Sequence, residues 1–223
     1  MPAISSEQAS KKSLALAIPK KSGNNIYVLY DANVLTNIYE QELADISNKR
    51  DKQEVAESVM DRFEEVIYAT IQVDRSFGKN RQYGVPTVVQ AAARKGYGPL
   101  MYDIVMSIEG GLVPDRSTVS ASASHVWSHY YDMRTDVDVK LLDDIEPGMG
   151  RTRTKFDDSE IYPGDEDDPY GENNPLNYAY FATQSPNFEN LLQNHKVMKS
   201  WCVKHHIDLE DMGDAFFRKK TFQ

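Results

Sequence analysis

The chain has 223 residues and a mass of 25.3 kDa, a length that fits one globular domain carrying insertions. With 40% apolar and 10% aromatic residues it can bury a sizeable core, which excludes wholesale disorder. Net charge is −9, and Asp157, Asp158, Glu160, Asp165, Glu166, Asp167, Asp168 and Glu172 lie in one run without a Lys or Arg, so the remainder is nearly neutral.

Phosphate neutralisation needs a surplus of Lys and Arg, so direct nucleic-acid binding is not expected. A single cysteine, Cys202, excludes an intramolecular disulfide framework and a multi-cysteine zinc ribbon. No apolar run approaches the ~20 residues of a membrane span. The first residues lack the charged-then-apolar order of a signal peptide, and the expected setting is intracellular or inside a particle.

Residues 1–24 are Ser- and Lys-rich around Leu14–Ile18, a candidate first strand. Ile26–Tyr30 is β-branched and aromatic and reads as a strand before a polar stretch. Charge is dense from Glu40 to Glu65, where Val55, Val59, Phe63 and Val66 recur at helical spacing. Ile67–Val73 reads as a strand, unless the helix runs into it. Phe77–Tyr83 is a basic turn, and Val85–Ala92 a strand with Pro86 at its opening. Ala92–Gly98 is a flexible turn, and Pro99 stands at a favourable first helical position. Leu100, Ile104, Val105 and Ile108 mark one face of a helix that Gly110-Gly111 ends. Leu112-Val113 starts a short strand. Ser120 is an N-cap for a helix with Ala123, Val126, Trp127 and Tyr130 or Tyr131 on its inner side. Val137–Leu142 alternates like a strand, residues 146–175 form a Gly/Pro-rich acidic excursion, and Asn177–Phe181 returns as a strand. Phe188 onward to Phe217 reads as one or two helices.

A strand, a glycine turn with basic residues and a helix form a recipe for holding phosphate. Amides at the helix start lack partners, the dipole favours an anion, and glycine permits close approach. Arg94, Lys95, Gly96, Tyr97 and Gly98 supply those elements. The spacing is equally that of a plain tight turn. It is neither a Walker loop nor a dinucleotide fingerprint, since the Gly-Lys-Ser/Thr ending and the third glycine are missing.

Across residues 65–181 the order of elements resembles the GNAT superfamily of N-acetyltransferases. The family turn Gln/Arg-x-x-Gly-x-Gly/Ala aligns with Ala93-Arg94-Lys95-Gly96-Tyr97-Gly98, with both glycines matched and Ala93 at the leading position. The later pattern Asn-x-x-Ala-x-x-apolar-Tyr aligns with Ser120 to Trp127, where Ala123 and Val126 match, Ser120 is a changed cap and Trp127 replaces the tyrosine. The resemblance implies acetyl-CoA as cofactor, with its pantetheine along an exposed strand edge. Backbone N–H groups of Val88, Val89 and Gln90 would then polarise the thioester carbonyl, and residues 94–98 would hold the pyrophosphate. In many of these enzymes the aligned tyrosine protonates the departing thiolate. A general acid needs a titratable proton, which an indole N–H does not offer. Tyr130 or Tyr131, nearly one turn further on, is the substitute donor; packing against the sheet is the other reading of both. Asp115, paired in sequence with Arg116, is either a base for a substrate amine or a brace of its loop.

The strings Gly96–Asp103, Gly111–Ser117 and Pro175–Tyr180 are similar to GNAT-like proteins of tailed bacteriophages, some of them internal virion proteins of short-tailed phages. That resemblance implies a virion-associated assembly protein with acetyl transfer reduced or lost, partnered by other virion proteins and located in the virion or host cytoplasm. The alternative is an active acetyl-CoA-dependent N-acetyltransferase acting on an amine of a host or phage protein. The implied fold is α/β, a mixed, mostly antiparallel sheet flanked by helices, with an acidic loop insertion and C-terminal helices. Its divisions are an arm at 1–24, the GNAT-like domain at 25–182 with the insertion at 146–175, and a helical extension at 183–223.

Remaining constellations carry less chemistry. His125 and His129 stand at zinc-binding spacing but fall between apolar positions, without the Glu of the metalloprotease pattern. Adjacent His205 and His206 point apart on a helix. Pro169 breaks the EF-hand template in the acidic run. No metal is expected. The acidic run reads as a solvated insertion or a docking surface for a basic partner, and Cys202 as buried packing.

Overall fold

Strand β3 (Asn24–Asp31) organises the molecule, since its side chains from Ile26 to Tyr30 are all buried. Tyr27 and Leu29 face one apolar cluster while Ile26, Val28 and Tyr30 face another, as the period of two in a strand requires. A strand buried on both faces must lie inside a sheet with helices on either side. The computed structural model of the chain describes residues 13–21, 24–44, 51–75, 83–115, 119–142, 173–183, 188–209 and 212.

The sheet runs β1 (Leu14–Ala17), β3, β4 (Ile67–Asp74), β5 (Thr87–Ala93) and β6 (Val113–Pro114), with the short β2 (Lys20–Lys21) paired to β3. Pairings among β1, β3, β4 and β5 are antiparallel, and β5–β6 is parallel. A second antiparallel pair, β7 (Val137–Leu141) and β8 (Tyr178–Ala182), joins through Leu112 and Tyr180, which exchange backbone hydrogen bonds of 2.8 and 2.9 Å. The fold is thus α/β, with a mixed and mostly antiparallel sheet between helices.

One face is covered by α1 (Ala32–Ala44), α2 (Lys52–Asp61), the single turn α3 (Phe63–Val66) and much of α6 (Glu189–Lys204). The other is covered by α4 (Gly98–Glu109) and α5 (Ala121–Met133). Helix α1 occupies a stretch that composition marks only as polar. Asp31 starts it by accepting from the N–H groups of Asn33 and Val34 at 3.0 and 3.2 Å, and Leu35, Ile38 and Tyr39 bury its inner stripe. The helical spacing of 55–66 holds, with a break at Arg62, and the chain then turns extended at Ile67. Leu14–Ala17 is an edge strand of the sheet, and Asn194 of α6 donates to the Leu14 carbonyl at 2.8 Å. The acidic run from Asp157 to Glu172 and most of the basic turn 77–83 lie outside the described residues.

Helix α4 ends as its sequence dictates. Gly110 takes the left-handed cap at φ 76°, and Gly111 follows at φ 148°. A Cβ on Gly111 would stand 2.8 Å from the Phe181 ring and 2.9 Å from Val85, so glycine is enforced by packing as well as by φ. At Gly110 nothing lies within 4 Å. Gly111→Ala is therefore expected to lower stability by about 3 kcal/mol, and Gly110→Ala by only about 1 kcal/mol, as read from urea midpoints.

Candidate functional site

Strand β5 is fully paired on one side only. Its ladder with β4 steps from Gln72↔Gln90 to Val73↔Val88, which makes Val89 an extra residue, a β-bulge. On its other side β5 meets β6 only at Thr87↔Val113 and Val88↔Pro114. Past the bulge, Val89, Gln90 and Ala91 are exposed. Arg94 N–H donates to the Tyr68 carbonyl at 2.7 Å, so antiparallel alternation turns the peptide group of Ala91 away from β4 and toward the open edge.

That edge lines a cavity of about 450 Å³. Residues 88–93 form one wall, Gly98, Met101 and Tyr102 of α4 another, and Asp115 with Val119, Ser120, Ala123, Val126 and Trp127 the side opposite. Ser120 places the last group by capping α5, its hydroxyl accepting from Ala123 N–H at 3.2 Å. The first helical bond of α4 is Met101 N–H to the Tyr97 carbonyl, at 3.1 Å. The amides of Gly98 and Leu100 precede that bond and have no partner inside the helix, and Pro99 has no N–H. The open edge and the helix start therefore meet at one end of the cavity.

Of the basic turn, Gly98 reaches the cavity wall. Gly96 bends the chain at φ 91°. The Arg94 guanidinium points elsewhere: it donates to the carbonyls of Glu64 and Glu65 at 2.8 and 2.9 Å, closing the end of α3, and lies 4.8 Å over the Tyr68 ring. Tyr97 is buried against Tyr68, ring centres 4.6 Å apart, and Lys95 is exposed. The charge that spacing assigns to a phosphate is, at Arg94, spent on a helix end.

The tyrosines expected as proton donors are not among the residues lining the cavity. Tyr130 is fully buried and donates to Asp103 at 2.6 Å, while the Pro99 carbonyl lies 3.1 Å from its hydroxyl. Arg134 completes the group, reaching Asp103 at 3.1 Å and covering the Tyr130 ring at 5.0 Å. Burial, together with the Asp103 carboxylate, pushes the Tyr130 hydroxyl well above the ordinary phenol range. Burial also raises the Asp103 carboxyl, against the hydrogen bond from Tyr130 and the charge of Arg134. A phenol so placed joins α5 to α4. Tyr131 is half-buried and packs on Tyr178, ring centres 4.9 Å apart. Of the candidate catalytic groups, Asp115 is the one on the cavity wall. Trp127 stands there too, 2% exposed and edge-on to Tyr102 at 5.3 Å. Sequence reasoning missed Tyr102, although it lies four positions after Gly98 on the same helix.

The chain matches no family model, no curated protein and no solved structure. Among the described residues no helix is long and apolar enough to cross a membrane, and no group of three or more His, Cys, Asp or Glu is arranged to hold a metal ion. His125 and His129 are exposed on α5. His205 packs on Tyr39 and Trp201, while His206 takes a positive φ of 61° at the end of α6. Cys202 is 1% exposed, and burial pushes its thiol up to about 12.

Two outcomes follow from these placements. Cys202 should resist a thiol reagent in the native protein and react once urea unfolds it, as counted by mass spectrometry. Tyr130→Phe should lower stability by about 1–3 kcal/mol in urea unfolding, because it removes a hydrogen bond to a half-buried carboxylate.

Proposed function

We propose that this chain is a GNAT-type protein that holds an acyl-coenzyme A in the β5 wedge, with acetyl transfer reduced or lost, and that it serves as a structural component of a bacteriophage particle. The observation that carries the coenzyme reading is the β5 edge left without a partner strand past Val88↔Pro114, sharing one cavity with the amino-terminal end of α4. A strand edge with outward peptide groups suits a pantetheine arm, whose amides alternate donors and acceptors as a strand does. Amides at a helix start suit a pyrophosphate. Bound acetyl-CoA would supply an activated acyl group. The chain's own part is to pair with the arm along Ala91, to offer the amides around Val89 to the acyl carbonyl, and to seat phosphate at Gly98 without help from the Arg94 guanidinium.

Reduced transfer follows from Trp127 and Tyr130. The indole aligns with the family's proton-donating tyrosine, and the nearest tyrosine on the same helix has its hydroxyl engaged as a hydrogen-bond donor to Asp103. Loss of a proton donor costs ~10²–10⁴-fold in rate. The particle setting rests on the sequence resemblance to phage proteins. The second reading, an active N-acetyltransferase, is favoured by the presence of Asp115 on the cavity wall, since a carboxylate there would attract an ammonium group and accept its proton.

Calorimetry on the full chain tests the coenzyme reading. A Cβ on Gly98 would meet only Ala93, at an ordinary 3.8 Å, so the helix start tolerates substitution and the variant should fold. Acetyl-CoA should bind at micromolar strength, and Gly98→Trp, which projects a large side chain from the cavity wall, should abolish binding with little change in melting temperature. Failure of the unaltered protein to bind acetyl-CoA sinks the coenzyme reading. Absence of the polypeptide from purified particles sinks the structural one.

A further inference from the structure

Tyr102 brings a phenol to the wall of the cavity. It is 4% exposed and lines the cavity beside Trp127. Among the described residues its hydroxyl has no hydrogen-bond partner, and burial is the sole cause that raises its pKa. The tyrosines that are 1% exposed or less are satisfied: Tyr27 by Glu109, Tyr30 by His195, Tyr130 by Asp103 and Tyr180 by the Pro175 carbonyl. The Tyr102 hydroxyl therefore opens on the cavity, where a polar tip on an otherwise buried ring can meet whatever enters. A tyrosine at this position makes sense when something else enters the cavity and accepts its proton.

We infer that the Tyr102 hydroxyl is a hydrogen-bond donor to the pantetheine arm of the bound acyl-coenzyme A, and so a binding residue of this cavity. The inference rests on the coenzyme reading above and adds to it the position of the arm. Gly98 and Tyr102 lie on one face of α4, one turn apart and about 6 Å along the axis, so phosphate at the helix start places the near part of the arm, well short of its thioester, against Tyr102. Trp127, edge-on to the Tyr102 ring, holds that ring in place. A raised pKa keeps the group a neutral donor throughout the working range. The role assigned is binding and orientation, with no proton transferred.

The test compares the full-length protein with Tyr102→Phe by calorimetry, using acetyl-CoA and, separately, adenosine bisphosphate, the nucleotide end of coenzyme A without its arm. Tyr102→Phe should weaken acetyl-CoA about tenfold and leave adenosine bisphosphate unchanged, because the hydrogen bond lost is one to the arm. Without ligand, Tyr102→Phe should melt no lower than the unaltered protein, since the hydroxyl has no internal bond to lose. Equal affinity of both proteins for acetyl-CoA overturns the inference and leaves the coenzyme reading standing. Equal weakening of both ligands, or a lowered melting temperature without ligand, also overturns it, because the hydroxyl is then part of the fold. If the unaltered protein binds neither ligand, the coenzyme reading falls and this inference with it.

Discussion

The extra residue at Val89 governs the architecture around the cavity. A bulge increases local twist and turns the strand that carries it, and the ladder of β5 with β6 ends at Val88↔Pro114, one residue before it. An unpaired strand edge inside a protein is unfavourable, because each buried peptide group left alone carries a desolvation cost. The molecule leaves that edge facing an open space of about 450 Å³, where solvent or a ligand satisfies it. Helix α4 then begins beside the end of β5 because residues 94–97 form a tight turn, Tyr97 N–H donating to the Arg94 carbonyl at 3.1 Å.

The aromatic residues behind the cavity serve two purposes that sequence spacing cannot separate. Trp127 and Tyr130 stand three apart on α5 and both face inward, yet Trp127 borders the cavity while Tyr130 ties α5 to α4 through Asp103 and Arg134. Such a buried charged group resists removal of any one member, since the others would be left without partners. Arg134 further binds Asp136 at 2.6 Å, anchoring the turn that leads into β7. The rigid back wall that results is what allows Tyr102 to keep a fixed position without a bond of its own.

Electrostatics play a smaller part at this site than the sequence Arg94-Lys95 invites one to expect. The guanidinium closes the end of α3 and stacks on Tyr68, a use set by where α3 ends rather than by the glycine turn. The anion-attracting features left at the cavity are backbone amides and the helix dipole, which belong to geometry and survive changes of surface charge. A similar exchange occurs at Glu109, near the unfavourable carboxyl end of α4, where Tyr27, Asn25 and Arg75 surround the carboxylate and offset its burial.

Much of the fold was legible from local signals. Strands Ile26–Tyr30 and Ile67–Val73, the helix after Pro99 with its Gly110 stop, and the Ser120 cap follow from periodicity and capping, which act over a few residues. Helix α1 was not read, although Asp31 and the Leu35, Ile38, Tyr39 stripe carried its signal, because the polar residues between them blur the pattern. For the site, the sequence alone determined the strand around Val88–Gln90 and the helix start near Gly98, both products of neighbouring residues. Tertiary structure decided the rest: the bulge at Val89, the direction of Arg94, the engagement of Tyr130 and the solitary hydroxyl of Tyr102. Each of these depends on partners distant along the chain, and a side chain's partner is settled only when the elements carrying both have packed.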